Sequence, residues 1–100
     1  MQNPTTLTMQ SDVPVESYRV QLVMGDAEAL IKETVVDGPF AANEVVSRNI
    51  FSAGLVSTPP PFGAVLHFNV FAHTPAADSI RSQSEAFTFA VPAAPILTLS

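Results

Sequence analysis

The sequence predicts an all-β chain, an antiparallel sandwich of six to seven strands. Apolar residues recur at every second position rather than every 3.6, the rhythm of half-buried strands. Turn-forming clusters break the chain at about the 8–15 residue spacing expected of a sandwich. No segment requires a helix.

The elements follow in order. In Thr5 to Gln10, Leu7 and Met9 oppose Thr6 and Thr8. Asp12-Val13-Pro14 breaks the chain there. From Ser17 to Met24, Tyr18, Val20, Leu22 and Met24 share one face and Ser17, Arg19 and Gln21 the other. Gly25-Asp26 closes that strand. Ala29 to Val36 reads as a third strand. A short helix over Asp26 to Lys32 competes for its first part, but Ile31, Thr34, Val35 and Val36 prefer strands. Asp37-Gly38-Pro39 is expected to end it, since Asp-Gly is a strong turn pair. Glu44 to Ser52 is a fourth strand around Arg48. Ser57 to Gly63 holds three prolines and is expected outside any sheet.

The second half alternates most clearly. In Ala64 to His73, Leu66, Phe68, Val70 and Ala72 share one face. Val65, His67, Asn69, Phe71 and His73 share the other, a mixed face that is partly wet or meets a partner. Thr74 to Ser79 reads as a loop. In Glu85 to Val91, Phe87, Phe89 and Val91 alternate with Ala86, Thr88 and Ala90. Ile96 to Leu99 is the candidate seventh strand. Residues 1–100 therefore read as one domain, with 92–100 as a linker-like tail or an edge strand.

Composition bounds the function. Charged residues make up 13% of the chain, about half the usual share. None lies between Asn49 and Ala77, nor between Ala86 and Ser100. One hundred residues cannot bury so much neutral surface, and such surface is normally covered by a partner or a second copy. The net charge is −5, and the four cations Arg19, Lys32, Arg48 and Arg81 are scattered. That distribution argues against nucleic acid and against anionic lipid, which both need clustered Lys and Arg. There is no cysteine, so no disulfide framework and no thiolate metal site. The opening MQNPTTLTMQ lacks the basic and apolar regions of a signal peptide. Pro59-Pro60-Pro61 interrupts the uncharged stretch, which therefore does not read as a membrane helix.

Gly54-Leu55, a Pro-rich turn, and then Leu66-x-Phe68-x-Val70-x-Ala72 resemble the late strands of a fibronectin type III or related immunoglobulin-like domain. Ser84 to Val91 resembles that family's last strand, and Tyr18-Arg19-Val20-Gln21 its Tyr-x-Val strand. The resemblance implies the family's sandwich. The chain departs from the pattern at three points: it has no tryptophan, Leu66 stands at the corner-tyrosine position, and little chain precedes Tyr18. Pro4-Thr5-Thr6-Leu7-Thr8-Met9 and Pro95-Ile96-Leu97-Thr98-Leu99 are similar to each other and to the family's first strand. Either this echo is chance, or the later copy fills an open sheet edge on its own domain or on a neighbour.

Chemistry-bearing motifs are sparse. His67 and His73, six residues apart on one strand face, would sit ~20 Å apart, too far to share a metal ion. Asp26, Glu28 and Asp37 offer a loose calcium site, but no loop has the spaced-acid pattern. There is no Gly-x-Ser-x-Gly elbow, no Gly-rich phosphate loop and no glycan acceptor. Pro59-Pro60-Pro61 is either a stiff turn or a ligand for a proline-reading module. No cofactor and no catalytic role are expected. The candidate interface residues are Phe62, His67, Phe71, His73, Ile96, Leu97 and Leu99.

The expected role is a structural protein in a multi-copy assembly, its partners copies of itself or other subunits. The expected setting is a phage or virus particle, as a capsid decoration or tail component. Domains of the resembled family commonly occur in such particles. The competing role is a secreted or cell-surface module, binding protein or carbohydrate or acting as a spacer, cut from a larger protein. Pro92-Ala93-Ala94-Pro95 would then be its linker.

Overall fold

The computed structural model describes residues 4–79, 81–91 and 94–100. Among these, six strands follow in chain order: β1 (Thr6–Met9), β2 (Val15–Met24), β3 (Ala29–Phe40), β4 (Val46–Asn49), β5 (Leu66–His73) and β6 (Ser82–Gln83). They form two antiparallel sheets, ordered β1-β4 and β3-β2-β5-β6. No helix occurs among the described residues. Gly25 to Glu28 is a turn, and Ala29 already belongs to β3, so the competing helix does not form.

Alternation builds the core. Tyr18, Val20 and Leu22 of β2 and Leu66, Phe68 and Ala72 of β5 face inward. Met9 and Val46 meet them from the small sheet, and Ile50, Leu55, Phe87 and Phe89 fill the space between. The two sheets thus enclose one apolar interior, an arrangement consistent with a β-sandwich.

Short connections define two ends. The β1–β2 and β3–β4 loops meet where the Asn43 N–H donates to the Ser11 carbonyl at 2.6 Å; this is termed the upper end. The Gly25 N–H donates to the Val65 carbonyl at 2.9 Å, joining the β2–β3 turn to the start of β5 at the lower end.

Four expectations need correction. Asp37-Gly38-Pro39 does not end the third strand, which runs on to Phe40. The register shift between Val15 and Ser17 sets three steps of β3 against two of β2, so β3 itself bulges here. A Cβ on Gly38 would lie 2.7 Å from the Glu16 carbonyl oxygen, so glycine is what allows the close approach. β3 is an edge strand, where a proline without an N–H is tolerated. The fourth strand stops at Asn49. The Asn49 Oδ1 accepts from the N–H groups of Phe51 and Ser52, both at 3.0 Å, and turns the chain.

Glu85 to Val91 is not a continuous strand. Phe87 and Phe89 do turn inward, but only Phe87 bridges β5, opposite Leu66. The regular pairing lies earlier, at Ser82 and Gln83. Around it serine hydroxyls stand in for backbone acceptors, while the same serines' N–H groups donate to the Ala72 and Phe68 carbonyls at 2.8 and 2.9 Å. Ser79 Oγ accepts from the Ala72 N–H at 2.9 Å, and Ser84 Oγ accepts from the Phe68 N–H at 2.8 Å. Ile96 to Leu99 forms no strand, and residues 94–100 are all exposed. The molecule is accordingly elongated, 67 × 26 × 20 Å. Its radius of gyration is 16.3 Å, against ~13 Å for a compact chain of this length.

Gly38→Ala is expected to lower stability by about 1–3 kcal/mol, through backbone displacement at the bulge. Urea unfolding should show a lower midpoint with an unchanged slope. An unshifted midpoint would mean that the Glu16 approach constrains nothing.

Candidate functional site

Two surfaces stand out. The first is a groove of about 580 Å³ between β1 and the chain that follows β5. Leu7, Tyr18, Val70 and Ala72 make its apolar floor, and Ser79, Ser82 and Ser84 stand along its rim. Alternation places Val70 inward, yet it is only half-buried, because the groove opens over it. Tyr18 packs on Phe40 with ring centroids 5.5 Å apart. Burial, with a smaller push from the Glu44 charge, raises the Tyr18 phenol above its ordinary value.

The groove exists because β1 has one neighbour. β1 pairs with β4, Thr6 opposite Asn49 and Met9 opposite Val46. The Ile50 N–H donates to the Thr5 carbonyl at 2.9 Å, extending that ladder. Backbone groups alternate in direction along an antiparallel strand. Those of Thr6 and Thr8 therefore point away from β4, along the groove. No other strand among the described residues pairs with this edge.

The second surface is the outer face of the larger sheet. At its upper end the Arg19 guanidinium lies over the Phe71 ring, 4.4 Å from the centroid. Arg19 also reaches Glu33 at 3.4 Å and Asp78 at 3.7 Å. A hydrogen bond from Gln21, with the Arg19 charge beside it, holds the Glu33 carboxyl below the usual carboxylate range. His73 Nδ1 sits 2.7 Å from Asp78 Oδ1, and its Nε2 is 3.7 Å from Glu16. Toward the middle, Glu28 Oε1 accepts from Arg81 at 2.6 Å, Asn69 at 3.0 Å and Gln83 at 3.1 Å. Asn69 is buried, and its own Oδ1 accepts from Gln83 at 2.9 Å. Glu28 holds a left-handed backbone, φ 52°, a conformation that costs a non-glycine residue energy and persists where its surroundings fix it. The bonds from Asn69 and Arg81 fix this one and hold the Glu28 carboxyl below its ordinary value.

The predicted interface residues divide among these places. His67 and His73 share the outer face of β5, six positions apart; His67 Nδ1 lies 3.0 Å from the Ser84 carbonyl oxygen. Phe71 is half-buried beneath Arg19 and is not a bare anchor. Phe62 is exposed at the lower end, and Leu30, Val65 and Val91 are exposed too. Ile96, Leu97 and Leu99 are 96%, 87% and 99% exposed. Asp37 faces Ser17 at the far end of β3 from Glu28, so the three acids weighed for calcium do not meet. Among the described residues no group of three or more His, Asp or Glu side chains is placed to hold a metal ion. No helix among them is long and apolar enough to cross a membrane. The groove and the Glu28 network escaped the sequence, because their parts are distant in the chain: Glu28 and Gln83 are 55 positions apart, and the groove runs from Leu7 to Ser84. The inward parity of Leu7, Tyr18 and Val70 was the one available signal.

Comparison of the chain with protein-family models, curated proteins and solved structures finds no match in any of the three.

The Glu28 network has a pH signature. Its folded-state value is depressed, so its stabilisation is present above the ordinary glutamate value near 4.5 and fades as pH falls below it. Glu28→Gln is expected to flatten the acid limb of a plot of unfolding midpoint against pH. An acid limb identical to that of the parent chain would exclude the network as its source.

Proposed function

We propose that this chain is a non-catalytic structural protein that works in many copies. One observation carries the proposal: Ile96, Leu97 and Leu99, three large apolar side chains, stand almost wholly in solvent. Isolated apolar residues on a surface are ordinary, but a run of them in one uncharged segment marks a contact site. The exposed lower end, with Phe62, Val65 and Val91, adds to it.

The strand order supports an immunoglobulin-like or fibronectin type III-like connectivity. In such domains strands A, B, E and D make one sheet and C, F and G the other. β1 and β4 would take the places of B and E, and β2, β5 and β6 those of C, F and G, with β3 added beside C. The place of A, alongside β1, is unfilled among the described residues.

The proposed setting is a phage or virus particle, as a capsid decoration or tail component. Small size and a charge-poor second half suit a subunit covered by its neighbours. The extended course of residues 94–100 favours one other reading, a spacer or binding module of a secreted protein, in which this segment joins two domains.

Light scattering on a sizing column separates the two. The structural role predicts a mass above that of one chain at micromolar concentration, growing as concentration rises. A monomer at the highest attainable concentration would favour the spacer. Immunogold label at regular positions on particles, rather than on the cell surface, is the expected result for the virus setting.

A further inference from the structure

We propose that residues 95–99 of one copy form a strand along the open edge of β1 in a second copy, filling its groove and linking copies head to tail. The inference rests on the assembly role proposed above and names its contact.

Four observations converge. First, the edge is unpaired: Thr6 and Thr8 direct their N–H and C=O groups along the groove, and unpaired edges template further strands. Second, the patterns match. Leu7-Thr8-Met9 turns Leu7 and Met9 inward with Thr8 exposed. Leu97-Thr98-Leu99 has the same parity, so that Leu97 and Leu99 would lie on Tyr18 and Val70 while Thr98 faces water. Third, the sizes agree. Five residues of strand extend ~16 Å, and the lining from Leu7 to Asp12 spans a similar length. The segment carries no charge, so no charged side chain is drawn onto the apolar floor.

Fourth, the geometry selects a second copy. The groove occupies the upper half, where Ser82 faces Val70 and Ser79 bonds Ala72. The donor segment leaves at the lower end, where Phe87 faces Leu66 and the Gly63 N–H donates to the Phe89 carbonyl. From Val91 back to Ser82 is nine residues, ~30 Å of extended chain. Residues 95–99 would have to reverse direction, and Leu97, six residues past Val91, would still stop short of the level of Val70 in their own groove. In the next copy, stacked below, they enter from above and run antiparallel to β1. Stacking also brings the exposed apolar residues of the lower end onto Val13 and Val45 at the upper end. Such a contact pairs two different surfaces, and it generates rings if it closes and filaments if it does not.

The test uses the full chain and two variants. Leu97→Asp/Leu99→Asp disables the donor segment, which touches no part of the core. Thr8→Pro removes an N–H on the open edge of β1, a position where proline leaves the pairing with β4 intact. Each variant alone should run as a monomer, with self-association weakened on the order of 100-fold or more. Mixed, they should form a dimer and stop, because one brings an intact groove and the other an intact segment. Tyr18 is the single tyrosine in a chain without tryptophan, so its emission should change in the mixture and in neither variant alone. If Thr8→Pro fails to fold by circular dichroism, Ser82→Trp fills the groove from its rim instead.

An oligomer that survives the double aspartate change would overturn this inference and leave the assembly role standing. A mixture that stays monomeric would do the same. Loss of stability without loss of mass would mean that the segment lies in its own groove. A parent chain that is monomeric throughout would overturn both proposals.

Discussion

Every other element of this molecule depends on the pairing of β2 along both of its sides. It carries β3 on one side and β5 on the other, through nearly all of its ten residues. Its inward residues Val20 and Leu22 are almost wholly buried, at 1% and 0% exposure. Because backbone polar groups of an interior strand must find partners, two flanking ladders are what allow so apolar a strand to lie in the centre. The smaller sheet adds little backbone pairing of its own. Met9, Val46 and Ile50 hold it by packing onto the face that β2 and β5 present.

Low charge shifts the burden of specificity to neutral groups. On one side of β5 the ladder is regular; on the other it is stitched by serine hydroxyls and a two-residue strand. That side is polar enough to stay wet and irregular enough to resist sheet growth. The charges that do exist are concentrated on the outer face of the larger sheet. There Arg19, Glu28 and Asp78 tie together segments distant in sequence, at half-exposed sites where each ion pair alone contributes little. Their joint effect is positional: they hold Asp78 and the residues from Arg81 to Gln83 against the larger sheet.

Strands whose two faces differ were legible in the sequence. β1, β2 and β5 lie where the alternation of Leu7, Tyr18 and Phe68 placed them, and the Pro-rich stretch before β5 is a loop. Three features were not legible. Asp37-Gly38-Pro39 has the chemistry of a turn, but β3 absorbs it as a bulge against β2, and bulges depend on two strands at once. Glu85 to Val91 alternates well, yet the Ser84 hydroxyl takes the Phe68 N–H that a regular ladder would use. The groove is a property of what is missing beside β1, and no local pattern encodes a missing neighbour. Residues 96–99 have the alternation of a strand and no partner in this copy. Their sequence therefore reads as strand while their surroundings do not.

The hairpin of β2 and β3 carries a register shift near each end, at Val15/Ser17 and at Leu22/Val23. Between them the two strands match residue for residue from Ser17 to Leu22. Sliding one strand past the other would require both irregularities to migrate together, and a single-step slip would turn Tyr18, Val20 and Leu22 out of the interior. The ribbon behaves as a zipper with a stop at either end, so its alignment is locked by backbone geometry as well as by hydrophobic contrast. A sheet so anchored at its centre can leave its outer margins loosely finished without losing its place.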